Sequence, residues 1–186
     1  MKTFTFLIGF FISTTALAGN YTVDSRHTFP SFSINHMGFS TQKGRFNTTT
    51  GQISLFPEKN TGQIDIVIDS NSIDTGLVEL EEHLKKPDFL EVERYPTIRF
   101  ISTGLQFSKD SLTGADGNLT LHGVTKPVHL DVTHFKCGLN PVAMKQVCGA
   151  DVSTSFKRSD FGVSKYVPMI ADDVQIQIQI EAIKSE

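Results

Sequence analysis

Apolar and polar residues alternate along most of this chain. The clearest run is Val174-Gln175-Ile176-Gln177-Ile178-Gln179-Ile180, which switches at every step. That period of two puts one face of a strand in a dry interior and the other in water. Ile64, Ile66 and Ile68 repeat the pattern, as do Val128, Leu130 and Val132, and Phe32, Ile34 and His36 share a face opposite Ser33 and Asn35. Further strand-like runs cover 44–56, 98–107, 114–122 and 147–156. Turn formers punctuate them at Gly51, Pro57 to Gly62, Lys109-Asp110, Gly114 to Gly117 and Gly138 to Pro141. The pattern predicts an all-β domain of roughly eight antiparallel strands. A two-sheet sandwich and a closed barrel bury the same faces, so alternation does not choose between them.

One short helical insertion is predicted near 76–92. Leu77, Leu80 and Leu84 fall on one helical face, and Glu81–Lys85 and Glu82–Lys86 are spaced as favourable pairs. Pro87 ends the helix, and Asp88 with Glu91 is spaced to cap a second turn before Pro96.

The first 18 residues do not follow the strand rhythm. Lys2 precedes an apolar run through Phe4, Leu7, Phe10 and Ile12, and Ala16-Leu17-Ala18 closes the segment. This is the layout of a secretory signal peptide, too short to span a bilayer. Residues 19–186 then form a single mature domain, with no transmembrane anchor expected after cleavage. The formal net charge of −3 becomes one unit more negative once Lys2 is removed. Nucleic acid, which needs a basic face, is not an expected partner.

Export changes the reading of Cys137 and Cys148, the only cysteines. In an oxidising compartment an even count favours a disulfide, here closing a loop of about a dozen residues. The six histidines lack metal-ligand spacing, so no metal site is expected. Neither a Gly-x-Ser-x-Gly elbow nor a glycine-rich phosphate loop occurs, so catalysis has no positive support and the chain is read as a non-enzyme. Fifteen phenylalanines with no tryptophan are unusual. They suit an aromatic core, or the lining of a barrel wide enough to hold one ligand.

Four segments together resemble one family. Ser25 to Phe29 leads into Phe32 to Gly38 and then Gly44-Arg45-Phe46; the others are Phe89 to Phe100, Asn118 to Val128, and Arg158 to Val163. In this order they resemble the YceI-like family of bacterial envelope proteins, across essentially the whole mature chain. The resemblance implies a lipocalin-like antiparallel barrel around a long-chain polyisoprenoid, or a quinone with such a tail. It also implies periplasmic or secreted location, and it is compatible with a homodimer. Two departures stand out: Thr28 replaces the family's usual serine, and the Cys137–Cys148 segment looks like a local elaboration that could reshape one mouth.

On this reading the isoprenoid lipid or quinone is cargo rather than cofactor, bound, stored or transported without catalysis. The expected ligand-binding residues come from the dry strand faces: Phe32, Ile34 and Phe46, then Ile64, Ile66 and Phe100, then Leu130, Val132, Ile176 and Ile178. Leu80 and Leu84 would cover one end. His36 and His122 are candidates for polar contacts, and Arg158 for a head-group contact or a pair with Asp160. The rival readings are an envelope interaction protein with a solid core and, more remotely, an enzyme acting on lipid-linked substrates.

Overall fold

The computed structural model describes residues 18–185. The predicted signal peptide therefore lies, up to residue 17, outside the described residues. Among the described residues, eleven strands form one antiparallel sheet. They are β1 (Gly19–Val23), β2 (Phe29–His36), β3 (Ser40–Phe46), β4 (Thr49–Phe56), β5 (Thr61–Asp69), β6 (Ile73–Asp74), β7 (Thr97–Ser108), β8 (Ser111–Leu121), β9 (Val124–Asn140), β10 (Lys145–Lys157) and β11 (Ile170–Lys184).

Several of these are fragments of longer staves. β1 pairs β4 through Tyr21 opposite Ile53, and β2 pairs β3 through Phe32 opposite Gly44, so the first two staves are each broken once. β5 and β6 likewise make one stave against β4 and β3. Joining the fragments leaves eight staves, each paired to the next in chain order. The ring closes because β11 pairs β1 and β2, with Tyr21 opposite Lys184 and Phe32 opposite Ile176. The architecture is an up-and-down barrel, which leaves no sheet edge free to pair with another chain.

The run read as 44–56 is two strands broken at Asn47-Thr48, not at Gly51. Asn47 donates its backbone N–H to Ser72 O, and Thr48 donates its own to Ser72 Oγ, so the break is held from the next stave. Gly51 sits inside β4, where a Cβ would strike the Asp65 carbonyl and the Ile66 side chain. Gly114 and Gly117 are also strand residues of β8, not turn formers. A Cβ on Gly117 would collide with the Phe100 ring. These glycines admit a close neighbour rather than bend the chain.

The helix α1 (Val78–Leu84) is shorter than the predicted insertion. Glu81 does not pair with Lys85; its carboxylate accepts the Thr75 backbone N–H at 2.9 Å and steadies the entry to the helix. Lys85 meets Glu82 instead, and Asp88 pairs with Lys165 at 3.0 Å rather than capping a turn.

Inside and outside follow the pleat. Gln175, Gln177 and Gln179 point to solvent, and Arg99 bridges Asp65 across outward positions at 2.7 Å. An apolar interior with a polar outer face is the reverse of the pattern in a membrane-spanning barrel. Among the described residues no helix is long and apolar enough to cross a membrane.

Candidate functional site

The barrel has two unlike ends. One carries the start of β1, the end of β11 and the turns after β4, β7 and β9; the other carries the β2–β3 turn, α1, the β8–β9 turn and residues 158–169. At the first end Tyr21, Leu55, Cys148 and Ala182 form a buried cluster, with Phe135 and Cys137 packed on it. Cys137 and Cys148 are bonded and stand opposite each other across β9 and β10. The bond faces inward and helps seal the floor. It does not reshape a mouth.

Phe135 reaches that floor because of a bulge. The β9–β10 register shifts where Asp151 opposes His134 and Val152 opposes Val132, leaving Thr133 as the extra residue. The insertion reverses the parity of everything beyond it, so Val132 and Phe135 both point inward.

Above the floor lies a cavity of about 600 Å³. Its size falls in the range of sites that hold one small molecule. Its wall is almost wholly apolar. Inward residues such as Leu130, Val132, Ile176 and Ile178 are only partly buried, because they face open space rather than one another. A barrel filled by its own phenylalanines would have buried them. The solid-core reading is therefore not the structure's.

The structure brings nearly all the expected residues to this wall. Phe32, Ile34, His36 and Phe46 contribute from the first two staves, and Ile64, Ile66 and Phe100 from the next two. Leu130, Val132, Ile176 and Ile178 complete the circuit, while Leu80 and Leu84 cover the upper end from α1. Arg158 also reaches the wall, but each of its three guanidinium nitrogens already donates to a backbone carbonyl. It gives hydrogen bonds to the carbonyls of Ala171 (2.9 Å), Val163 (2.9 Å) and Ile170 (3.1 Å). Burial pulls its pKa down from the usual arginine value, and the charge that opposes this is Asp172, not Asp160.

His122 is the exception. It stands outside the cavity wall, in the tight turn between β8 and β9, where it and Gly123 both take positive φ. That geometry is the two-residue hairpin turn whose twist matches the strands it joins. The ring packs on Tyr95 at 4.8 Å, places Nδ1 3.2 Å from the Phe161 carbonyl and Nε2 3.4 Å from Glu91. A His-Gly pair between two alternating runs was the available signal for a turn.

Sequence reading missed three kinds of wall residue. Tyr21 and Leu55 belong to the floor, and burial raises the Tyr21 phenol above its ordinary pKa. Tyr166 and Leu77, both exposed, stand with Gln42 and Lys43 where the wall meets solvent, which puts the opening at the helix end. Exposed Met37, Phe39 and Met169 lie on segments at this end, where Met37 N–H donates to Met169 O at 3.1 Å.

Thr49 is the third kind. It is 1 % exposed, shares the inward face of β4 with Ile53 and Leu55, and lines the cavity. Its hydroxyl has no hydrogen-bond partner in the protein. A buried hydroxyl left this way costs about 1–3 kcal/mol. Thr28, also fully buried in the wall, differs: its hydroxyl donates to Glu181 O at 3.3 Å and accepts Glu181 N–H at 3.2 Å.

A hollow antiparallel barrel with a sealed floor, an apolar bore and a helical cover belongs to the class of calyx-shaped barrels. The sequence profile of the YceI-like domain matches residues 21–182, and the chain belongs to that family. A UPF0312 protein of Pseudomonas aeruginosa is 35% identical over 173 residues, covering 91% of this chain and 89% of the relative. BcnA of Burkholderia cenocepacia shares the fold with a TM-score of 0.72 at 24% identity, over 86% of this chain and 98% of that one. A domain of Saccharophagus degradans described as polyisoprenoid binding superposes with a TM-score of 0.66 at 17% identity, over 89% and 98% of the two chains.

Proposed function

We propose that this protein binds one amphiphilic isoprenoid lipid, of the polyprenyl or prenyl-quinone type, and stores or carries it in the periplasm or outside the cell. The observation that carries the reading is the unfilled, almost wholly apolar bore of about 600 Å³. The description of the Saccharophagus relative as a polyisoprenoid binding domain supports the same ligand class.

The physics needs no chemistry at the ligand. Burial contributes ~0.8 kcal/mol per methylene-sized group, so a few five-carbon units supply over ~10 kcal/mol gross. Association and chain ordering offset roughly 4–15 kcal/mol of this. The disulfide and the leader-like N-terminal segment support an oxidising, extracytoplasmic setting. The test is to purify the protein from its native envelope, extract it with organic solvent and identify the extract by mass spectrometry. A stoichiometric isoprenoid is expected. Absence of any lipid, together with failure to take up a prenyl quinone offered in detergent, would overturn the reading.

A further inference from the structure

We infer that the helix end of the barrel docks on a charge-neutral bilayer surface, so that cargo passes between membrane and bore without entering water. This inference rests on the carriage reading and adds to it the surface against which the lipid is exchanged.

Exposed apolar side chains are not scattered over this barrel. Among the described residues the large ones lie at its two ends, and none stands on its flank. Leu139, Val142 and Met144 sit at the tip of the β9–β10 hairpin, beyond the floor. The others ring the opening: Met37, Phe39, Leu77, Val78, Tyr166 and Met169. Phe39 is 87 % exposed and Val78 68 %. One exposed hydrophobe needs no explanation, but a cluster at one end of a protein marks a contact surface.

Three segments carry this rim, and they are tied to one another. In the β2–β3 turn Met37 and Gly38 take positive φ, and Asn35 Oδ1 accepts the Gly38 N–H at 2.8 Å. Met37 donates its own N–H to Met169 O at 3.1 Å, joining that turn to the segment before β11. On that segment Tyr166 stacks on His83 of α1, with ring centroids 6.3 Å apart, and Lys165 pairs with Asp88 at 3.0 Å. A residue other than glycine keeps a positive φ only where its surroundings fix it. The turn that carries Phe39 is thus set in place before anything binds.

Two features choose the bilayer as occupant. The rim is continuous with the bore, since Leu77 and Tyr166 line the cavity and are exposed to solvent as well. A folded partner seated on the rim would stopper the opening, whereas a bilayer joins the bore to the phase in which an isoprenoid dissolves. The exposed charges beside the rim are of both signs, Lys43, Lys86 and Lys165 against Glu79, Glu82 and Asp88. A face of mixed sign exerts little long-range pull on a strongly charged partner, and it leaves apolar insertion among neutral head groups as the means of contact.

The experiment loads wild type, Phe39→Ser, Val78→Ser and, as a control at the floor end, Val142→Ser with a prenyl quinone. Each is mixed with phosphatidylcholine vesicles carrying a trace of pyrene-labelled lipid, whose fluorescence the arriving quinone quenches. The wild-type transfer rate should rise in proportion to vesicle concentration, as a collision requires. Phe39→Ser and Val78→Ser should each slow transfer roughly tenfold, the equivalent of withdrawing one apolar side chain from the bilayer. Neither residue lines the cavity, so both variants should bind the quinone in detergent as wild type does. Val142→Ser should transfer at the wild-type rate. A rate independent of vesicle concentration means that cargo leaves through water, and it overturns the inference. So does undiminished transfer by both rim variants, or equal slowing by Val142→Ser. Loaded protein that delivers nothing to bare vesicles, the result expected of a protein acceptor, overturns it too. Each of these leaves carriage standing. Wild type that binds no quinone in detergent overturns carriage and this inference together. Should a rim variant fail to fold, the concentration dependence of the wild type alone decides.

Discussion

The ring of Phe32 lies across Gly44, its register partner on the neighbouring stave. A Cβ at Gly44 would stand 2.5 Å from Phe32 Cζ and 3.0 Å from the Asp74 carbonyl. The glycine lets an aromatic side chain lie flat along the wall instead of crossing the bore. Gly44→Ala should therefore destabilise the protein by about 1–3 kcal/mol, the usual range for overpacking. Guanidinium unfolding curves would show a lower midpoint with an unchanged slope.

Ile66 offers a way to plug the cavity. It points inward from the middle of β5, opposite Phe100. In Ile66→Trp the indole should occupy space the cargo needs, lowering uptake of a prenyl quinone by roughly tenfold or more. Circular dichroism of the variant should match wild type. A folded variant with undiminished uptake would show that the lipid lies elsewhere.

The Cys137–Cys148 bond closes a short loop, with a sequence separation of 11. Replacing both cysteines by serine should cost up to ~3 kcal/mol in the chain-entropy model. The added hydroxyls would also face the floor cluster of Tyr21, Leu55 and Ala182. Thermal unfolding of the oxidised wild type, the reduced wild type and the double variant should give the highest midpoint for the first.

Acid should loosen the segment after β10. Asp172 accepts the Ser159 backbone N–H at 2.9 Å and the Ser159 hydroxyl at 2.6 Å. Chiefly the hydroxyl bond holds its carboxyl below the usual aspartate pKa, with Arg158 and Lys157 adding to it. The folded state thus prefers the ionised form, so this stabilisation is complete above the unfolded value of about 4 and fades as pH falls through the lower folded value. Melting curves of wild type and Asp172→Asn should differ at pH 6 and converge as the pH is taken well below about 4.

Much of the barrel was legible in advance because strand period is a local property. The face shared by Ile176 and Ile178 follows from residues that touch in sequence, and it predicted the wall correctly. Closure was not legible, since it depends on Tyr21 meeting Lys184 from the opposite end of the chain. Glycine was misread wherever its job was to make room. Gly51 and Gly117 look like turn formers, yet a neighbouring strand or ring presses against each. Thr49 and Phe135 escaped notice for a related reason. Their facing depends on the break at Asn47-Thr48 and the bulge at Thr133, and such irregularities reset parity without leaving a clear mark in composition.

Among the described residues the stapled floor closes one end of the barrel and leaves its door at the helix end. A chain threaded past α1 meets Tyr21 and Cys148 and goes no further, so whichever terminus enters first must leave last. On the proposed carriage reading, donor and acceptor are then served from the same side. They must take turns at the same entrance, and net direction of traffic then comes from their relative hunger for the lipid, not from passage through the protein.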